Sequence, residues 1–309
     1  MENILTVENL SIKEGGHAAH KPLVKDASLG LHTFRPLSLI GESGCGKTLV
    51  GQAITGLVPK GLKVTGEIIF NGQDILSCGG NIRSLWGREL FLFPQEPAKY
   101  LNPLVPGLNQ ISEVFRELHG NSGKRSRFRS GRMMGRVRLR REDGRKYPWQ
   151  LSGGMAQRLL TAIAMAEPAK VIVADEPTKG LDNEMKYQMV ALLKSLSDSG
   201  KALLVITHDL EVPELLGGDM AVMYGGRILE TGTAEAVLQK GSHPYTLALQ
   251  NALPKNGLIP IPRGLNHGAG DGGCVFYRRC CFASAGCTQH PQCRRLGRDN
   301  NHMVACHSC

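Results

Sequence analysis

The chain has 309 residues, 41% of them hydrophobic and 21% charged, and a formal net charge of +10. This is ordinary globular composition, long enough for one large domain and something smaller. No apolar run approaches the ~18 residues needed to span a bilayer, and Met1-Glu2-Asn3-Ile4 lacks the basic region and apolar core of a secretory signal. These features argue against a membrane-spanning or exported chain, and the cytosol is the expected compartment.

Residues 4–10 and 27–33 read as strands leading up to the stretch that organises the chain. There Leu37-Ser38-Leu39-Ile40 enters the turn Gly41-Glu42-Ser43-Gly44-Cys45-Gly46-Lys47-Thr48, and Val50, Ala53, Ile54 and Leu57 follow at helical spacing. Strand, glycine-rich turn and helix make a phosphate-binding loop, and G-x-x-x-x-G-K-[ST] is complete in Gly41, Gly46, Lys47 and Thr48. The glycines let backbone N–H groups curl round a phosphate without Cβ clashes, and the helix N-terminus adds partial positive charge. Lys47 offers a mobile point charge to the β and γ phosphates, and Thr48 a hydroxyl to Mg²⁺. Cys45 reads as a tolerated small side chain.

Residues 66–70 followed by Asn71-Gly72 give a hairpin signal. Phe91-Leu92-Phe93-Pro94-Gln95 reads as a buried strand ending at a polar residue. A helical insert follows at about 96–165, where long apolar strands are missing. Within it, residues 124–146 carry eleven cations opposed only by Glu142 and Asp143. Such a run suits nucleic acid or anionic lipid, but Phe128 is its one interleaved aromatic, and a solvated face is the favoured reading.

Apolar strands then return. Val171-Ile172-Val173-Ala174 ends in Asp175-Glu176, and Met185, Met189, Leu192 and Leu196 follow at helical spacing. Ala202-Leu203-Leu204-Val205-Ile206-Thr207 ends at His208. Strands apolar throughout and alternating with helices predict an α/β fold with a parallel sheet covered on both faces. Residues 219–224, the Gly225-Gly226 turn and residues 227–230 form a closing hairpin. A main domain over 1–252, a Pro/Gly/Asn-rich linker over 253–273 and a cysteine-rich tail over 274–309 are expected.

In a parallel sheet the C-terminal strand ends collect on one edge, where ligands bind. Asp175 closes a strand where a carboxylate holds Mg²⁺, and Glu176 can act as general base on a water aimed at a γ-phosphate. Gln95 can contact the metal or that water, and His208 can hydrogen-bond the γ-phosphate.

The segment Leu151-Ser152-Gly153-Gly154-Met155-Ala156-Gln157-Arg158 resembles the signature motif of the ATP-binding cassette (ABC) family. The resemblance spans about residues 4–250, with Gln95 in the Q-loop, Gly180-Leu181-Asp182 in the D-loop and His208 in the H-loop. It implies a P-loop NTPase of ABC type: a mostly parallel sheet, an antiparallel β subdomain and a helical insert. It also implies ATP and Mg²⁺ as ligands, with Ser152, Gly153 and Gly154 covering ATP held by the opposite subunit's phosphate loop. Phe93-Pro94-Gln95-Glu96-Pro97, Leu101-Asn102-Pro103 and His243-Pro244-Tyr245-Thr246 resemble the oligopeptide/dipeptide/nickel importers. Membership there implies a transport ATPase at the cytoplasmic face of the membrane. Its partners would be a second ATPase, two transmembrane permease subunits and an extracytoplasmic substrate-binding protein. Three positions depart from the family pattern. Only His17 and His20 occupy the region that often carries an adenine-stacking aromatic; Trp149 stands where His is common, and Lys179 where a small residue is common.

Seven of nine cysteines crowd the tail. Cys274, Cys280, Cys287 and Cys306, with Phe276 and Arg279, resemble the family's C-terminal pattern. In a reducing cytosol disulfides are the weaker explanation. Four thiolates can hold a [4Fe–4S] cluster or a tetrahedral Zn²⁺, or remain thiols; the spacing of these four is not a C-x-x-C pair, so zinc-ribbon logic does not apply directly. Cys281, Cys293 and Cys309 are extra to the pattern.

Two other function classes compete. A soluble cassette ATPase acting on nucleic acid would use the basic run, but Lys47 and Ser152 are too close in sequence for a long coiled coil, and there is one cassette. A non-hydrolysing regulatory subunit is at odds with intact Gln95, Glu176 and His208.

Overall fold

Two sheets of different character share the chain. The structure is a computed structural model that describes residues 2–15, 22–77, 81–261, 273–289, 291, 294–296 and 302–307. His17, His20, Cys78, Cys293 and Cys309 lie outside the described residues.

Strand β1 (Asn3–Glu14) buries Leu5, Val7, Leu10 and Ile12. The step from Val7 to Leu10 crosses an irregularity with Asn9 at φ 49°. It pairs antiparallel with β2 (Val24–His32). All four residues of β3 (Leu37–Ile40) are buried, as expected of a central strand. Helix α1 (Lys47–Thr55) starts after left-handed Gly46 (φ 106°) and stops at left-handed Gly56 (φ 69°). Val50, Ala53 and Ile54 therefore form its buried stripe, while Leu57, counted into the same periodicity, falls past the cap and is 38% exposed. Strand β4 (Leu62–Phe70) pairs antiparallel with β1 and turns through Asn71-Gly72 into β5 (Gln73–Asp74). The first sheet thus runs β2-β1-β4-β5.

After β6 (Leu90–Phe93) come three helices of the insert: α2 (Gly107–Glu117), α3 (Gly123–Arg136) and α4 (Gly153–Ala166). They bury Ile111, Phe115, Met134 and Leu159 in one apolar cluster that also takes in Phe93. Helix α3 turns Ser126, Ser130 and Met134 inward and leaves most of its cations exposed. Arg129 lies over the Phe115 ring at 4.5 Å. Among the described residues the basic run makes two ion pairs, Arg140–Glu142 and Lys146–Asp143.

The second sheet resumes with β7 (Val171–Asp175), α5 (Asn183–Asp198), β8 (Ala202–Thr207), α6 (Glu211–Leu216), β9 (Asp219–Tyr224) and β10 (Arg227–Thr233). Strands β9, β3, β8, β7 and β6 are parallel neighbours, and β10 returns antiparallel to β9. On α5 the fully buried stripe is Met189, Leu193 and Leu196 with Val190; Met185 and Leu192, expected on it, sit half-buried at its edge. With Val190 and Leu193 both on one side of Met189 around the helix, the stripe turns away from Met185 and Leu192, which both lie on the other side at 100° per residue.

Helices α7 (Ala234–Lys240) and α8 (Pro244–Asn251) lead to the C-terminal segment, which packs back on the domain. Strands β11 (Arg294–Leu296) and β12 (His302–Val304) extend the main sheet, with β12 antiparallel to β10. Phe276 and Cys280 enter a buried cluster with Ile40, Leu210, Met220, Val222 and Tyr245. The tail and β3 share one core.

Candidate nucleotide site

Strand register brings the polar residues together. Ile40 pairs with Thr207, Ile206 with Asp175, and Ala174 with Phe93. The residues that follow these strands, Gly41, His208, Glu176 and Gln95, therefore emerge along one sheet edge.

The phosphate loop holds its shape by close backbone approach. A Cβ on Gly41 would lie 2.1 Å from the Met223 carbonyl oxygen of β9, and Gly44 and Gly46 have φ of 81° and 106°. Ser43 and Gly44 are exposed, whereas Cys45 is buried beside Lys47. Burial pushes the Cys45 thiol up despite the nearby ammonium. Lys47 is itself buried, and its Nζ donates to the carbonyl oxygens of Gly41 (2.7 Å) and Glu42 (2.9 Å). The ammonium thus sits inside its own loop, satisfied by two neutral acceptors that phosphate oxygens can replace.

Asp175, at the end of β7, is buried, and burial raises its carboxyl above the ordinary range, while a hydrogen bond from Thr48 opposes the shift. Its Oδ1 has no hydrogen-bond partner. An orphaned carboxylate oxygen next to a hydroxyl is a donor set suited to a hard cation. Gln95 lines the same cleft, about 270 Å³ in volume, with Thr48, Gln52 and Asp175. These residues fit Mg²⁺.

Glu176 is buried and left-handed (φ 48°), a conformation rare outside glycine. Its N–H still donates to Ile206 O (2.8 Å), so the chain turns out of β7 without losing the ladder bond. The turn sets Oε1 2.8 Å from His208 Nδ1 and Oε2 3.4 Å from the Thr207 hydroxyl. Because a carboxylate only accepts, Nδ1 carries the hydrogen of that bond.

Ser152, Gly153 and Gly154 are elsewhere, at the start of α4. Ser152 Oγ caps the helix by accepting from Met155 N (3.3 Å). Ser152 and Gly153 are exposed and do not line the Thr48–Asp175 cleft. The chain's own loop and its signature segment are thus not joined at that cleft. Lys179 is exposed too, within electrostatic reach of Asp175, and Trp149 is 72% exposed and stacked on Tyr147.

Two residues with no assigned role from sequence, Tyr245 of α8 and Arg279 of the tail, meet the loop. Glu42 N donates to Tyr245 Oη (2.9 Å), and Glu42 Oε2 pairs with Arg279 Nη1 at 2.8 Å. Tyr245 and Arg279 stand in His243-Pro244-Tyr245-Thr246 and Arg279-Cys280, but nothing local to either motif points to a loop more than 200 positions away. The four tail cysteines approach one another. Cys274 N donates to Cys287 O (2.9 Å), and Cys280, Cys287 and Cys306 are buried. Burial pushes the Cys280 thiol up to about 11, with Cys274 and Cys306 within electrostatic reach adding to the shift. Among the described residues no three His, Cys, Asp or Glu side chains converge to hold a metal ion.

Residues 24–179 match the family model described as ABC transporter, and residues 229–287 match the C-terminal region of oligopeptide/dipeptide transporters. The dipeptide transport ATP-binding protein DppD of Escherichia coli is 35% identical, over 92% of this chain and 90% of that protein. The oligopeptide transport ATP-binding protein OppD of Haemophilus influenzae is 32% identical, over 94% of each. A dimeric ATP-binding cassette solved in a post-hydrolysis state with ADP and Pi has the same fold, with a TM-score of 0.66 at 24% identity, over 75% of this chain and 99% of that one. With its phosphate loop, signature segment and strand-end carboxylates in place, the chain belongs to the ABC transporter family, among the ATP-binding proteins of its oligopeptide/dipeptide branch.

Proposed function

We propose that this chain is the ATP-hydrolysing subunit of a peptide-class importer, closing head to tail with a second ATPase beneath two transmembrane permease subunits. The observation that carries the reading is the pair of buried carboxylates ending β7. Asp175 keeps an unpartnered oxygen beside Thr48, and Glu176 is held by His208, both on the edge that bears the phosphate loop. The relatives named for dipeptide and oligopeptide transport favour peptides over nickel or metal chelates as cargo. They give no support to a nucleic-acid substrate for the basic run. An extracytoplasmic substrate-binding protein and a place at the cytoplasmic membrane face complete the assembly. No described helix is long and apolar enough to cross a membrane, so attachment runs through the permease subunits.

Thr48, Asp175 and Gln95 would hold Mg²⁺, which neutralises charge between the β- and γ-phosphate oxygens. Lys47 exchanges its two carbonyl partners for phosphate oxygens, with the amides of Glu42–Thr48 and the start of α1 around them. Glu176 is the general base on the attacking water, and His208 orients it through Nδ1. Ser152, Gly153 and Gly154 present a hydroxyl and backbone amides to ATP held by the partner ATPase, which accounts for the exposure of Ser152 and Gly153. Cys274, Cys280, Cys287 and Cys306, within electrostatic reach of one another, would be the ligands of a [4Fe–4S] cluster, with a tetrahedral Zn²⁺ as the alternative.

The test is ATP hydrolysis by wild type and Glu176→Gln, alone and with the partner ATPase and permease subunits. Loss of the base should lower turnover by about two to four orders of magnitude. Full activity without partners, raised by DNA or RNA and retained in the variant, would sink the proposal.

A further inference from the structure

Glu42 is the one acid among the eight residues of the phosphate loop. A carboxylate at that place repels the polyphosphate the loop is built to hold, unless something neutralises it. The structure supplies the neutralising group from the far end of the chain. Arg279 Nη1 lies 2.8 Å from Glu42 Oε2, and the two side chains are 22% and 35% exposed. The same guanidinium donates to Tyr224 Oη (3.3 Å) and lies 5.6 Å from the Tyr224 ring centre. On the other side of Glu42, its N–H is held by Tyr245 Oη.

The segment that delivers Arg279 is anchored. It ends the 3-10 turn Tyr277–Arg279, closed by Tyr277 N to Cys274 O (3.0 Å) and Arg279 N to Phe276 O (2.9 Å). Phe276 is 2% exposed and packs edge-on to Tyr224, with Tyr245 and His243 around it. The turn already fixes the Arg279 backbone, so pairing costs only side-chain rotamer freedom, and the planar guanidinium spreads that cost over two partners, Glu42 and Tyr224.

We propose that Arg279 is a positioning residue of the nucleotide site: it cancels the Glu42 charge and fixes that corner of the phosphate loop, so the C-terminal segment completes the site. The inference rests on the loop binding MgATP, as proposed above. Anything that fixes or displaces Cys274 and Cys280, which bracket the turn, acts on the loop through this guanidinium and through the packing of Phe276 on Tyr245.

The test measures MgATP dissociation constants by calorimetry on the full chain: wild type, Arg279→Gln, Glu42→Gln and the double variant, at low and high salt. Arg279→Gln should weaken MgATP by about tenfold, the effect of one uncompensated charge a few ångströms away in a half-buried setting. The deficit should shrink in 1 M salt, where the screening length falls to about 3 Å. Adding Glu42→Gln should restore affinity to within about twofold, because the charge to be cancelled is gone. A purely packing role for Arg279 predicts neither the rescue nor the salt dependence. The proposal is overturned if Arg279→Gln binds like wild type, or if its loss persists in the double variant at all salt concentrations. Should Arg279→Gln fail to fold, Glu42→Gln alone decides: removing the one negative charge of the loop while Arg279 stays beside it should tighten MgATP several-fold, and unchanged or weaker binding refutes the idea. Wild type that does not bind MgATP would overturn both this inference and the function proposed above.

Discussion

Acid sensitivity is built in beside the nucleotide site, at His243. Its side chain is 1% exposed, its Nδ1 accepts the Tyr245 N–H (3.0 Å), and its Nε2 has no partner. Burial lowers its pKa from the ordinary 6.5 to about 4. The folded state therefore resists a proton that the unfolded chain accepts freely. Stability from this group is full above pH 6.5 and is lost as pH falls from there toward 4. At pH 5 nearly every unfolded chain and few folded ones carry the proton, which amounts to a loss of about 2 kcal/mol relative to pH 8. For a domain of this size that is a drop of about 5 °C in melting temperature. His243→Asn isolates the effect, because asparagine is a good N-cap for α8 and does not titrate. Urea unfolding of wild type and variant at pH 8 and pH 5 is the assay. The gap between the two proteins should shift by about 2 kcal/mol in the variant's favour at pH 5. A gap that stays constant with pH would refute the reasoning, whatever the absolute stabilities.

Gly41→Ala places a methyl group 2.1 Å from Met223 O and 2.8 Å from Cys45 Sγ. The Met223 carbonyl is strand backbone and cannot yield cheaply, so the loop shifts; MgATP binding should fall at least about tenfold and stability by about 1–3 kcal/mol, read by calorimetry and thermal melting. Unchanged affinity would show that the loop's starting position is not set by this contact. Metal and acid-labile sulfide analysis of anaerobically purified protein should find iron and sulfide at about four each per chain, with zinc well below one. Stoichiometric zinc without sulfide would reverse that assignment.

Much of the machinery was legible before any coordinates. The phosphate loop declares itself because its requirements are local: left-handed glycines, a lysine and a hydroxyl within eight residues, between an apolar strand and a helical stripe. Asp175, Glu176 and His208 were readable for a similar reason, as polar residues ending strands too apolar to stand anywhere but inside a sheet. Periodicity failed only by single positions. Leu57 lies past the Gly56 cap, and Leu193 replaces Leu192 on the buried stripe of α5, because a helix's end and its rotation are set by what it packs against.

Tertiary structure decided how those residues are held. The left-handed turn at Glu176, its bond to His208, and the withdrawal of Lys47 onto the carbonyls of Gly41 and Glu42 depend on neighbouring strands brought into register. The reach of Arg279 to Glu42 joins segments from opposite ends of the chain, and the pairing of β12 with β10 closes over the intervening helices α7 and α8. A sequence displays the preferences of a few adjacent residues. Which distant charge cancels Glu42 depends on how the whole chain packs, and that is settled by the buried contacts of Phe276, Tyr224 and Tyr245, not by any pattern beside Arg279.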